Sequence, residues 1–235
     1  MARAYQCGGG LGILTLEFIS LGRYSFSEAL QKQQELKSRR QHGEISDIVL
    51  TVEHPRVITK GRRPADGDFL IPPEELERRG YAVAEAGRGG RLTYHGPGQL
   101  VAYFIVSLRE RRLSVPAFVR QVEESVIRTV RAYGIVAERR EGCPGVWIEG
   151  RKIASVGLAV DRGVSMHGIA LNVNPKLSDF DVIVPCGITD CRMTSLEQEL
   201  GAAPAWTEVE RVFQEEVRKV FSLNSELDNG PIGIH

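Results

Sequence analysis

"GRGGRLTYHGPGQL", residues 87–100, sets five glycines and a proline around one histidine, His95, between segments of ordinary globular composition. Paired glycines expose backbone N–H groups and admit a neighbour where a Cβ would stand, so the run marks a close approach to the backbone. It is not a P-loop, because the Gly-Lys-Ser/Thr ending is missing, and it is not a dinucleotide fingerprint between a strand and a helix. Tight turns alone would use the same glycines. An imidazole beside an open backbone suits hydrogen bonding to a carbonyl or proton handling, although a lone histidine is as readily structural.

Working outward, residues 81–85 read as a strand entering the run and "LVAYFIVSL", 100–108, as an apolar strand leaving it, so the glycine segment is expected to join two strands. "GILTLEFI" (12–19) and "DIVLTVEH" (47–54) read as strands, the second stopped by Pro55. Ser25 and Glu28 form a capping box that opens a helix through about Lys37. A short helix is expected over 72–80, from its prolines and acidic residues to its terminal arginines and glycine. Val115, Phe118, Val122, Val126 and Val130 fall at helical spacing between Ser114 and Tyr133. "GVWIEG", "KIASVGLAV" and "GVSMHGIALNVN" read as three successive antiparallel strands, with turns at Glu149–Gly150 and Asp161–Gly163. Near the C-terminus, Thr207 and Glu210 suggest a second capping box before an amphipathic helix, and the last dozen residues read as a loose tail. Strands interleaved with a few long helices give an α/β chain of the α+β type, a mixed and largely antiparallel sheet with packed helices. The 235 residues carry no linker-like composition and are read as a single catalytic domain, 1–235.

Composition narrows the function. Thirty basic residues balance thirty acidic ones, so net charge does not suggest a general nucleic-acid binder or membrane-surface protein. Local basic clusters at 60–64, 109–112 and 138–140 could meet an acidic partner, or simply face solvent. No apolar stretch approaches the roughly 20 residues that span a bilayer, Glu17 interrupts the N-terminal apolar run, and a cytoplasmic protein is expected. Cys7, Cys143, Cys186 and Cys191 form no CxxC pair and the five histidines are scattered, so neither a metal site nor a disulfide framework is signalled.

Two further residues suit chemistry. Cys186, in "VIVPCGITD", follows an apolar run and a proline, a setting that fits either a nucleophile on a fixed turn or a small buried residue. Lys152 opens an apolar strand, where its ammonium must find a counter-charge or lose its proton; beside a thiol it would favour the thiolate. A surface lysine at a strand end would read the same way. Cys191 reads as a bystander.

Taken in order, "EHPRVITKGR" (53–62), residues 87–108, "GVWIEGRKIASVGLAV" (145–160), "HGIALNVN" (167–174) and "VPCGITDCRMTSLEQEL" (184–200) resemble the octanoyl-carrier-protein:protein N-octanoyltransferases of lipoate biosynthesis, over about residues 12–222. The resemblance implies a fold like that of the biotin- and lipoate-protein ligase catalytic domains. It also implies transfer of octanoyl, or lipoyl, from acyl carrier protein to a lysine of the lipoyl domains of 2-oxoacid dehydrogenase complexes and the glycine cleavage H protein. The residue matching Cys186 would carry the acyl group as a thioester, and that matching Lys152 would lower its pKa. Lys152 or His95 would take the proton of the incoming amine. The family's acyl-binding segments fall on Arg88, Gly89, Gly90, Arg91, Leu92, Thr93, Tyr94 and His95, on Ser155, Val156 and Gly157, and on Gly168, Ile169 and Ala170. Small residues there would make a tunnel wall for an alkyl chain, with backbone N–H groups facing the thioester carbonyl. No cofactor or metal is expected, nor nucleic acid, and a monomer is. An ATP-dependent lipoate- or biotin-protein ligase would share the fold, but resembling ligases carry a His-Asp ending in place of "HGPGQ" and need no nucleophilic cysteine. A non-catalytic acyl-protein-binding module would keep the pocket and lose the thiol or the lysine.

Overall fold

The computed structural model describes residues 15–65, 67–188 and 191–227. Strands β1 (Leu16–Arg23), β2 (Asp47–Glu53), β6 (Gln99–Ile105), β10 (Val164–Asn172), β9 (Arg151–Asp161), β8 (Cys143–Ile148) and β7 (Glu138–Arg140) run side by side in that order, and β11 (Arg192–Met193) pairs with β9. Only the β1–β2 and β9–β11 pairs are parallel, so the sheet is mixed and mostly antiparallel, as expected. A smaller sheet sets β3 (Val57–Lys60) between β4 (Ala82–Glu85) and β5 (Leu92–His95). The helices are α1 (Phe26–Gln41), α2 (Pro73–Arg78), α3 (Val115–Arg131), α4 (Leu196–Leu200) and α5 (Trp206–Leu227).

The central strand β6 is buried along its whole length, because both faces of the sheet are covered. Val101, Tyr103 and Ile105 pack with Ala29 and Leu36 of α1 on one face. Leu100, Ala102 and Phe104 pack on the other with Phe118, Val122 and Val126 of α3 and Phe213, Val217 and Phe221 of α5. Phe104 stacks on Phe221 at 5.7 Å between centroids and meets Phe118 edge-on at 6.1 Å. Truncating a fully buried phenylalanine such as Phe104 to alanine costs about 3–5 kcal/mol.

The capping box at α1 forms as expected: Glu28 N donates to Ser25 Oγ and Ser25 N to Glu28 Oε2. The helix runs past Lys37 because its buried face contains polar members: Gln33 and Arg40 continue the series Ala29 and Leu36, and Arg40 ends on Asp47 and Glu110. Both hairpins of the β8–β9–β10 run close through two residues with positive φ, Glu149–Gly150 (46° and 80°) and Arg162–Gly163 (49° and 80°), the conformation that matches strand twist in tight hairpins.

Three expectations need correction. The glycine run does not simply join two strands: Leu92–His95 within it is itself β5, so the segment carries the chain from the small sheet to the large one. Thr207 is no cap, because α5 begins one residue earlier behind Pro204, with Glu208 N and Val209 N donating to Ala205 O. The start of the expected tail, to Leu227, continues α5, and its remainder lies outside the described residues, as do residues 12–14 of the first expected strand, whose observed span is Leu16–Arg23. No helix among the described residues is long and apolar enough to cross a membrane.

Candidate active site

Alternation along β5 sends its side chains two ways. Leu92 and Tyr94 enter a core cluster with Ile58, Phe180 and Ile183, and Tyr94 Oη donates to Asp179 at 2.8 Å. Thr93 and His95 face the opposite way, into a pocket between the two sheets. The wall on the large sheet is built by register. Val101, Ala170 and Ser155 lie in one row across β6, β10 and β9, and Tyr103, Gly168 and Gly157 in the next. Phe26, the first residue of α1, and Arg88 complete it.

The three sequence segments thus converge. Arg88, Thr93, His95, Ser155, Val156, Gly157, Gly168, Ile169 and Ala170 all line this one pocket. Gly89, Gly90, Arg91, Leu92 and Tyr94 do not: Arg91 turns to Asp68, and Gly89 N donates to Leu158 O at 2.9 Å. The Gly89 amide, like that of Gly98, which donates to Glu53, is therefore already committed within the protein and not offered to a ligand carbonyl. The bare positions at Gly157 and Gly168 likewise serve internal packing. A Cβ at Gly157 would stand 2.7 Å from Arg88 Cδ, and one at Gly168 would collide with Ala102 O.

Most of the titratable groups around the pocket are neutral near pH 7. Burial, then the nearby His54 ring and the Arg88 charge, pulls His95 down to about 3. Burial and Arg88 hold His167 at about 4. Burial also lowers His54, which bridges Tyr24 O (2.6 Å) and Tyr103 Oη (2.7 Å), and it raises Tyr103. Arg88 itself is buried and donates to Thr59 O, Thr59 Oγ1 and Gly89 O.

Lys152 is fully buried on β9, its Nζ 5.2 Å from the centroid of Trp147, the residue opposite it on β8. Cys186 sits on the 3₁₀ turn Pro185–Gly187, closed by Ile188 N donating to Pro185 O. That turn packs on β5, the strand of His95, and the chain leaving it enters β11, where Met193 pairs with Lys152. The fold therefore links the elements carrying all three residues: the Cys186 turn packs on the strand of His95, and Lys152 shares its strand with pocket residues 155–157. Cys191 Sγ lies 3.8 Å from Met193 Sδ. The described residues contain no group of three or more metal-ligating side chains.

The family model for the lipoyl protein ligase A/B catalytic domain matches residues 25–218. An octanoyltransferase from Chloroflexus aurantiacus is 45% identical over 217 residues, covering 91% of this chain and 97% of the relative. The chain belongs to the octanoyltransferase family. As a member of the octanoyltransferases it is an enzyme, an acyltransferase. Its fold is shared with lipoate-protein ligase A solved with ATP (TM-score 0.70, 15% identity, 87% of this chain and 84% of that one). A biotin protein ligase from Aquifex aeolicus shares it too, more distantly (TM-score 0.55, 16% identity, 89% and 72%).

Four pocket residues of this octanoyltransferase-family chain escape sequence reasoning: Phe26, Val101, Tyr103 and His167. Val101 and Tyr103 look like ordinary core in a strand buried on both faces, and Phe26 looks like a helix-start apolar residue. His167 had a signal, since it directly precedes the Gly168 segment. Its φ of 61°, rare for a non-glycine residue within a strand, is visible only in three dimensions.

Proposed function

We propose that this enzyme transfers an octanoyl group from the thioester of acyl carrier protein to a lysine of lipoyl domains, through a thioester on Cys186. The observation that carries the reading is the meeting of Arg88, Thr93, His95, residues 155–157 and residues 168–170 in one pocket, with buried Lys152 on the same strand as residues 155–157 and the turn of Cys186 packed on the strand of His95.

In this reading the alkyl chain lies along Val101, Ala170 and Phe26. The Lys152 ammonium favours the Cys186 thiolate, which attacks the octanoyl carbonyl. The C–S bond to the carrier breaks, and the departing thiol takes its proton from Lys152. A neutral lipoyl-domain lysine then attacks the acyl-enzyme: the C–N bond forms, the C–S bond to Cys186 breaks, and the amine's proton returns to Lys152. His95 stays neutral and acts as a hydrogen-bond acceptor rather than a store of protons, because its burial disfavours the imidazolium. The acyl group arrives already activated, so the scheme calls for no cofactor. We read the whole chain as one catalytic unit acting as a monomer.

The test is to incubate the protein with octanoyl-carrier protein and a lipoyl domain, without ATP, and to follow the mass of the lipoyl domain. Octanoylation by the wild type, abolished in Cys186→Ser and strongly slowed in Lys152→Met, is expected. Transfer that requires ATP would overturn the reading in favour of a ligase.

A further inference from the structure

A chain of buried side-chain hydrogen bonds runs from the pocket to the backbone beside Lys152. His95 Nδ1 meets Gln99 Oε1 at 3.1 Å; Gln99 Nε2 donates to Asn172 Oδ1 at 3.1 Å and to Tyr94 O at 3.3 Å. Asn172 Nδ2 donates to Thr194 O at 2.9 Å, and Thr194 N donates to Lys152 O at 3.0 Å. Gln99, Asn172, Thr194 and Lys152 are each at most 1% exposed, and His95 is 7% exposed.

The direction of every link follows from its end. Thr194 O is a carbonyl and can only accept, so Asn172 must turn its amide nitrogen there and its oxygen toward Gln99. Gln99 nitrogen then faces two acceptors, Asn172 Oδ1 and Tyr94 O, which leaves its oxygen for His95. An oxygen opposite Nδ1 requires the proton to be on Nδ1, and Nε2 is left as the acceptor. Reversing either amide would place like groups against each other in a buried site, where an unsatisfied polar group costs about 1–3 kcal/mol.

We propose that Gln99 and Asn172 are positioning residues, which hold His95 as the Nδ1–H tautomer with Nε2 free to accept from the incoming amine, and which tie that orientation to the strand carrying Lys152. The proposal rests on the transfer reading for its role, and on the hydrogen-bond chain for its geometry. A well-packed apolar pair could fill the same space as stably, whereas only a polar chain sets a tautomer.

The experiment combines ¹⁵N-histidine NMR of the full chain, with the His95 signals assigned through His95→Gln, and steady-state transfer kinetics. The wild type is expected to show the Nδ1–H tautomer at His95 near neutral pH. Gln99→Met is expected to release it to the other tautomer and to lower kcat by about 10- to 100-fold while KM for octanoyl-carrier protein holds. Asn172→Asp, which keeps the acceptor for Gln99, should retain the tautomer and lose less. An Nε2–H tautomer in the wild type would overturn the proposal, as would a Gln99→Met protein that changes tautomer without losing kcat. If Gln99→Met fails to fold, the wild-type spectrum and Asn172→Asp decide. If the wild type transfers no octanoyl, the functional reading fails, while the spectrum still decides the tautomer.

Discussion

Gly145 is the residue that makes room for Lys152: a Cβ built on Gly145 would stand 2.5 Å from Lys152 Cε and 2.5 Å from Ala154 O. Its φ of 137° also disfavours any side chain. The lysine stem therefore crosses β8 where that strand has no side chain, and its ammonium reaches the Trp147 ring. Gly145→Ala is expected to displace Lys152 and cut transfer by more than about 10-fold, with an overpacking cost of about 1–3 kcal/mol. Kinetics with a thermal melt checks both.

The buried histidines predict acid sensitivity. In the unfolded chain a histidine titrates near 6.5, whereas His95 and His167 are held at about 3 and about 4 by burial. Between those values the unfolded state binds more protons, so stability is full above about pH 6.5 and falls as the pH drops toward 4, by up to about 1.4 kcal/mol per pH unit for each histidine. Urea unfolding at pH 7 and pH 5 measures the slope. His167→Asn, which tolerates the left-handed backbone, should flatten it.

Asp47 ties the C-terminal end of α1 to the start of β2. It accepts from Arg40 Nε (2.8 Å), Arg111 Nε (2.5 Å) and Ser107 N (2.9 Å), and it is 1% exposed. Asp47→Ala removes the carboxylate from beneath two buried guanidinium groups and should destabilise the fold by about 3–5 kcal/mol. Urea denaturation reads the loss, and the residual folded protein should keep its KM.

Ala170 sits between Val101 and Ser155 in the pocket wall. Ala170→Leu fills that space, and kcat/KM for octanoyl donors is expected to fall by at least about 10-fold, with hexanoyl donors suffering less. An equal loss for both chain lengths would move the alkyl chain elsewhere.

Much of the fold was legible because its signals are local. The Ser25–Glu28 box, the Glu149–Gly150 turn and the α3 periodicity each specify their own element. The errors arose where tertiary contacts decide. Val57–Lys60 and Leu92–His95 are too short to announce themselves, and they become strands by tertiary pairing, the first between Ala82–Glu85 and the second. Arg40 extends α1 through partners at positions 47 and 110. At the site, resemblance named the segments, but within residues 88–95 only β alternation separates Thr93 and His95 from Leu92 and Tyr94, and that depends on knowing Leu92–His95 is a strand. Gln99 and Asn172 gave no signal, since a buried amide's orientation is set by a carbonyl contributed by distant Thr194.

The most direct test of the central claim is the intact mass of the protein after mixing with octanoyl-carrier protein alone, without ATP, beside Cys186→Ser. The account predicts a gain of one octanoyl group that hydroxylamine removes, that Cys186→Ser lacks, and that a lipoyl domain discharges. A Cys186→Ser protein that transfers octanoyl at the wild-type rate would contradict it.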